Sequence, residues 1–135
     1  MSNLLAVILA RSNSKRIKNK NIEIFHGKPM IYWSIRACQK TGLFKKIIVS
    51  TNSSKIANIA KKYGANVPFL RSKKNSGDNI PTIKVVHEVF KKVKKIHPDR
   101  YSAACILYAS TPFIYYKDLI RAYKLLMKSK FNCIL

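Results

Sequence analysis

Residues 4–21 read LLAVILARSNSKRIKNKN. The apolar run Leu4–Leu9 passes without a break into a polar loop that carries Arg11, Ser14, Lys15, Arg16, Lys18, Lys20 and Asn21. A continuous apolar run of this length predicts a strand buried on both faces, as in a parallel sheet. Ligands of open α/β sheets bind just beyond the carboxyl ends of the strands. A buried strand that ends in clustered cationic and amide groups therefore suits a polyphosphate.

Outward from this segment the chain alternates strand and helix. A helix is expected over 29–40, with Ile31 and Ile35 on one face and Gly42 as its stop. KIIVST (46–51) reads as a second strand, rich in β-branched residues. Ile56, Ile59, Ala60 and Tyr63 recur at helical spacing over 53–63, and Gly64 ends that helix. Val67 to Leu70 is expected as a short third strand, and 71–81 as a polar loop. A longer helix then carries Ile83, Val86, Phe90 and Val93 on one face. Residues 103–109 read as another buried strand. Asp118 opens a last helix whose apolar face is Leu119, Ile120, Tyr123, Leu126 and Met127. Repeated βα units with nearly continuous apolar strands predict an α/β fold: one domain over 1–135, with a mainly parallel sheet covered by helices on both faces. The closing NCIL (132–135) looks like the opening of a further buried strand. The expectation is that these residues are the front part of a longer protein; the alternative is a short edge strand at a genuine C-terminus.

Composition narrows the function. The chain has 135 residues, 47% of them hydrophobic, which is enough for one compact core. Against 27 Lys and Arg stand five acids, Glu23, Asp78, Glu88, Asp99 and Asp118, for a net charge of +22. Such an excess favours anionic partners. The cations are mostly lysines spread along the whole chain, so the charge is weak evidence for nucleic-acid binding. Few carboxylates are left to hold a metal, and they are scattered. Cys38, Cys105 and Cys133 lie far apart without a CxxC pair and read as free thiols in a reducing compartment. His26, His87 and His97 have no ligand spacing, and no metal site is expected. The first apolar run lacks a preceding basic residue and is too short for a membrane span.

The loop itself is neither a Walker A loop nor a dinucleotide fingerprint, because no glycine stands between Ala10 and Asn21. Phosphate binding would then rest on side chains. Arg11 can fork two N–H groups onto phosphate oxygens, Lys20 supplies a mobile point charge, and Asn21 both donates and accepts. The alternative is a solvated basic loop, which charge alone favours.

AVILARSNSKRIKNKN resembles the N-terminal signature of the CMP-sialic acid synthetase family, the acylneuraminate cytidylyltransferases. That signature runs Ala-Arg, two small residues, Ser-Lys, a spacer and Lys-Asn after an apolar strand. Arg11, Ser14, Lys15, Lys20 and Asn21 match it. Ser12 and Asn13 stand where many members have glycines, and Lys18 where proline is common. GKPMIYWSI (27–35), KIIVSTNSSKIANIAKKYGA (46–65), VPFLR with Asp78 and Pro81-Thr82, and ILYASTPF (106–113) resemble later blocks in order. Asn52 replaces a usual Asp. VPFLR and the Tyr-Ala-Ser-Thr-Pro-Phe stretch look most like the pseudaminic acid branch.

The resemblance implies a Rossmann-like sheet of the nucleotide-diphospho-sugar transferase type. It implies CMP transfer from CTP to a nine-carbon acidic sugar, with loss of pyrophosphate. Arg11 and Lys20 would act catalytically on the phosphates; Ser14, Lys15, Asn21, Arg71, Thr82, Tyr108 and Ser110 would bind the nucleotide. It further implies Mg²⁺, whose carboxylate ligands the family carries in a later part of the chain, a homodimer formed through that later part, and a cytoplasmic setting. Each residue also has a plainer reading: Arg71 as a surface arginine, Tyr108 as a core aromatic, Thr82 as a helix cap, Asp78 as a turn cap, Trp33 as helix packing. Two further functions stay open: a non-catalytic nucleotide-binding remnant, and a basic nucleic-acid binder. The last predicts strongly salt-dependent binding indifferent to Arg11.

Overall fold

The computed structural model describes residues 3–98 and 101–135, which leaves Asp99 outside. The segment Leu4–Leu9 is the central strand β1, buried at every position. It pairs in parallel with β4 (Phe44–Ser50) on one side and β5 (Ala103–Tyr108) on the other, in the order β4-β1-β5. A short antiparallel hairpin, β2 (Ile24–Phe25) and β3 (Lys28–Pro29), precedes helix α1 (Met30–Thr41). Helices α2 (Ser54–Lys62), α3 (Thr82–Ile96) and α4 (Tyr116–Lys128) complete the elements.

The two-residue period of β1 sorts its side chains onto two cores. Ala6 and Ile8 pack with Ile31, Ile35 and Cys38 of α1 and with Ile56, Ala57 and Ala60 of α2, and Leu119 of α4 rests on the same side. Leu5, Val7 and Leu9 pack against Val85, Val89 and Val93 of α3. Helices thus cover both faces, as the strand pattern predicts. Truncating a fully buried residue such as Ile35 to Ala is expected to cost about 2–5 kcal/mol.

Local signals hold where they are strong. Ser53 caps α2 by accepting from the Ile56 N–H at 3.3 Å. Gly42 and Gly64 take φ of 64° and 91°, where a side chain would be strained. Trp33 packs on α1 and donates its indole N–H to the Phe25 carbonyl at 3.0 Å, tying helix to hairpin.

Several expectations are corrected. Val67 to Leu70 is not a strand. The only bridge there joins Ile48 to Asn66, and Pro68, which has no N–H to donate, follows two residues later. The α3 face is Val85, Val86, Val89 and Val93. Ile83 is 71% exposed, because the i, i+4, i+8 row from Val85 turns it away from the sheet. The last helix begins at Tyr116, with Asp118 inside its first turn; Met127 is exposed. Asn132 to Leu135 make no ladder and are not a strand. Among the described residues, no helix is long and apolar enough to cross a membrane.

The register levels the carboxyl ends of the sheet. Leu9 stands opposite both Ser50 and Tyr108. One residue further on, the Ala10 N–H still bonds to the Ser50 carbonyl at 2.9 Å, and the Ala109 N–H to that of Leu9 at 3.0 Å. Three loops therefore leave the sheet side by side, starting near Arg11, Asn52 and Ser110.

Candidate functional site

The loop after β1, the segment leading into α3 and the end of β5 line a cleft of about 720 Å³. The loop after β1 forms one wall with Arg11, Ser14, Lys15, Lys20 and Asn21. The segment leading into α3 forms the opposite wall with Arg71, Asn75, Asp78 and Thr82. Tyr108 and Ser110, at the end of β5, close the floor. All of the residues to which the sequence resemblance gave a catalytic or nucleotide-binding role line this one cleft, although Arg11 and Ser110 lie almost a hundred positions apart; Lys18 and Asn52 do not line it.

Asn21 is buried, and its side-chain N–H donates to the Arg11 carbonyl at 2.8 Å, which closes the basic loop on itself. Ser14 Oγ accepts from the Ile17 N–H at 3.4 Å within that loop. The Ser12 N–H donates to Asn52 Oδ1 at 2.9 Å. Asn52 therefore offers the acceptor that an Asp at this position would offer. Ser12 and Asn13 do not have positive φ, so the missing glycines cost no backbone strain there.

Arg71 is not a surface arginine. It is 9% exposed, with Nε donating to Ser50 Oγ at 3.0 Å and Nη2 to the Ser50 carbonyl at 2.9 Å. Burial draws its pKa below the ordinary arginine value, nearby Glu88 opposes that shift, and Arg11 adds to it. Nor is Tyr108 a core aromatic: it is 53% exposed, and its hydroxyl lies 2.9 Å from Thr82 Oγ1. Thr82 does not cap α3. It is the first helical residue, Pro81 holds the capping position, and the threonine hydroxyl points to Tyr108 instead.

Asp78 bridges two cations, Arg11 Nη1 at 2.7 Å and Lys15 Nζ at 2.9 Å. Hydrogen bonding from Lys15 is the largest effect that holds its carboxyl below the usual range. Lys20 pairs with no carboxylate among the described residues and remains an open charge. Sequence reasoning missed Asn75 in the cleft wall and Glu88 of α3, which holds it from behind. Glu88 Oε1 accepts from the Ser72 N–H at 2.9 Å and from Lys92 Nζ at 2.7 Å; its Oε2 accepts from Ser72 Oγ at 2.8 Å and from the Asn75 amide. Burial alone would raise its pKa, but the hydrogen bonds from Lys92, Asn75 and Ser72 outweigh it and hold the group at about 2. The i,i+4 spacing of Glu88 and Lys92 was legible; the clamp on Ser72 and Asn75 was not.

The cleft is cationic and holds one carboxylate among the described residues, Asp78, whose two oxygens are both engaged. No group of three or more His, Cys, Asp or Glu stands together among them. These residues do not fit a protein-held Mg²⁺. They fit an anion, which Arg11, Lys15 and Lys20 face with forked and single donors.

Residues 5–132 match the family described as Cytidylyltransferase. The chain belongs to the cytidylyltransferase family. It is 37% identical over 120 residues to the pseudaminic acid cytidylyltransferase of Campylobacter jejuni (serotype O:2), covering 89% of this chain and 51% of that protein. It is 36% identical over 110 residues to the CMP-N,N'-diacetyllegionaminic acid synthase of Legionella pneumophila, covering 82% of this chain and 47% of the relative. This cytidylyltransferase chain thus spans about half the length of either relative. Its fold is that of solved nucleotidyltransferases. CMP:2-keto-3-deoxy-manno-octonic acid synthetase, complexed with CTP, superposes with a TM-score of 0.77 at 19% identity, over 95% of this chain and 48% of that one. A cytidylyltransferase from Leptospira borgpetersenii superposes with a TM-score of 0.74.

Proposed function

We propose that this chain is the nucleotide-binding α/β domain of an enzyme that transfers CMP from CTP to a nine-carbon acidic sugar, of the pseudaminic or sialic acid type. The observation that carries the reading is the convergence of Arg11, Lys20, Arg71 and Tyr108 on one cationic cleft at the carboxyl end of a parallel sheet. The family membership and the names of the relatives support the substrate class.

In this reaction the anomeric hydroxyl of the sugar attacks the α-phosphorus. The bond from that phosphorus to the bridging oxygen breaks, pyrophosphate leaves with the electron pair, and the hydroxyl's proton passes to solvent. Arg11 and Lys20 lie on the β1 side of the cleft and neutralise the charge that grows on the departing phosphates, without having to reorganise as the reaction proceeds. Ser14 and Lys15 hold the same phosphates from the loop. Asn21 fixes the Arg11 backbone while facing the nucleotide. Arg71, Thr82, Tyr108 and Ser110 receive the ribose and base, the Thr82–Tyr108 pair presenting hydroxyls and Arg71 a guanidinium anchored by Ser50. A cytoplasmic setting, where CTP is made, accords with this chemistry.

Calorimetric titration with CTP tests the reading. The chain is expected to bind CTP, and Arg11→Ala and Lys20→Ala are each expected to weaken binding about tenfold or more, as loss of a charge-assisted bond does. Binding that survives both substitutions would overturn the site. Binding of nucleic acid that is steeply salt-dependent and blind to Arg11 would replace the reading altogether.

A further inference from the structure

Asp78 has no task in the reaction just described, yet it reaches across the cleft to two cations of the phosphate-facing wall. Its two oxygens are divided between two cations. Oδ1 meets Arg11 Nη1 at 2.7 Å, and Oδ2 meets Lys15 Nζ at 2.9 Å. Paired oxygens on one anionic centre are what a phosphate offers the same donors. The carboxylate therefore presents these donors with the kind of acceptor a ligand anion would.

The segment that carries Asp78 is fastened unequally. At its root, Glu88 grips Ser72 and Asn75 with a side chain only 10% exposed. At its tip, residues 76–81 belong to no helix or strand, and Gly77, Asp78 and Asn79 are exposed. The ion pairs to Arg11 and Lys15 are the side-chain contacts that Asp78 makes across the cleft. Such exposed pairs are individually weak and readily exchanged. Lys20, unpaired among the described residues, stays available to an arriving anion throughout.

We propose that Asp78 is an internal counter-ion that stands in for the substrate's phosphates: it holds Arg11 and Lys15 while the cleft is empty, and a polyphosphate binds by taking both cations from it and releasing the tip of the 76–81 segment. The inference rests on the nucleotide reading of the cleft. It makes Asp78 a residue that sets affinity by competition. Its removal strengthens ligands with phosphates and leaves ligands without them unaffected. Loss of a purely structural contact would weaken every ligand alike.

The test is calorimetric titration of the unchanged chain and of Asp78→Asn with three probes at one low ionic strength: CTP, inorganic pyrophosphate and cytidine. Asp78→Asn is expected to tighten CTP and pyrophosphate by about three- to tenfold, the range of one or two exposed ion pairs. Cytidine is expected to move by less than about twofold. Asp78→Glu, which keeps the charge, is expected to restore the weaker binding. Melting curves verify that each variant folds, and Asp78→Ser replaces Asp78→Asn if the latter does not. CTP and pyrophosphate binding that is unchanged or weaker in Asp78→Asn, while Arg11→Ala still weakens CTP in the unchanged background, overturns the counter-ion and leaves the nucleotide reading standing. CTP binding indifferent to Arg11→Ala overturns both.

Discussion

The side-chain amide of Asn21 donates to the main-chain carbonyl of Arg11 at 2.8 Å, across ten residues of basic loop. This bond closes the cationic segment into a ring and adds to the Ser12–Asn52 bond that holds its start. Asn21→Ala removes a buried donor from a carbonyl that has no other hydrogen-bond donor among the described residues. It is expected to cost about 1–2 kcal/mol in urea denaturation and to weaken CTP binding in parallel. Asn21→Asp sets a carboxylate against the carbonyl oxygen and is expected to cost more. An unchanged urea midpoint in Asn21→Ala would show that the ring is closed by something else.

Arg71 joins the loop after Pro68 to the end of β4 through Ser50. Arg71→Met keeps the aliphatic stem but removes both bonds. The Ser50 carbonyl retains the Ala10 N–H, so the loss is expected to stay near 1–3 kcal/mol rather than abolish folding. Ser50→Ala takes away only the Nε contact and is expected to cost about 1 kcal/mol. Chemical denaturation of the two variants gives the order; the reverse order would place the weight on the hydroxyl.

Glu88 makes stability depend on acid. Its carboxyl lies at about 2 in the folded chain against an ordinary 4.5. A depressed folded pKa means that the contribution is present above the ordinary value and is lost as pH falls from about 4.5 toward 2. The linkage amounts to about 2–3 kcal/mol. Unfolding measured between pH 7 and pH 2.5 is expected to show that loss, and Glu88→Gln is expected to flatten it. An equally steep decline in Glu88→Gln would assign the acid sensitivity to other carboxylates.

The Thr82–Tyr108 pair bridges the start of α3 and the end of β5 at 2.9 Å, but the contact is open to water. A double-mutant cycle with Thr82→Val and Tyr108→Phe is expected to return a coupling of only about 0.5 kcal/mol in stability. The same two variants are expected to weaken CTP binding more than they destabilise the chain, because the hydroxyls face the cleft. A coupling above about 2 kcal/mol would mark the pair as structural.

The cysteines are expected to differ in reactivity. Burial, with a smaller effect from Cys105, pushes the Cys38 thiol up to about 12, and burial pushes Cys105 up to about 11. Cys133 is exposed. Maleimide labelling near pH 7.5, followed by mass spectrometry, is expected to show one fast thiol, with the other two modified only on unfolding. Fast labelling of Cys38 in the native chain would contradict its burial.

Where a local rule is strong, sequence and structure agree residue by residue. Leu4–Leu9 is buried at every position because an apolar run between two parallel neighbours has no solvent face. Ile31 and Ile35 share one face because helical spacing admits no alternative. Agreement fails where a second element must arbitrate. Ile83 and Val85 are both apolar and both on α3, and only contact with the sheet decides which is covered. Val67 to Leu70 has the composition of a strand, but strands exist by pairing, and Pro68 cannot complete the ladder.

The chain's alternating periodicity, its charged loop after β1 and its ordered motifs determined the α/β class, the cationic character of the site and the family, because each is written in spacing a few residues long. Tertiary structure alone decided who faces whom. The register that sets Leu9 opposite both Ser50 and Tyr108 brings Arg11, Arg71 and Ser110 to one cleft. The path of the 71–81 segment gives Asp78 to Arg11 and Lys15, and Ser72 to Glu88. No periodicity carries such pairings, because they depend on where a loop closes in space and on which charge is left without water.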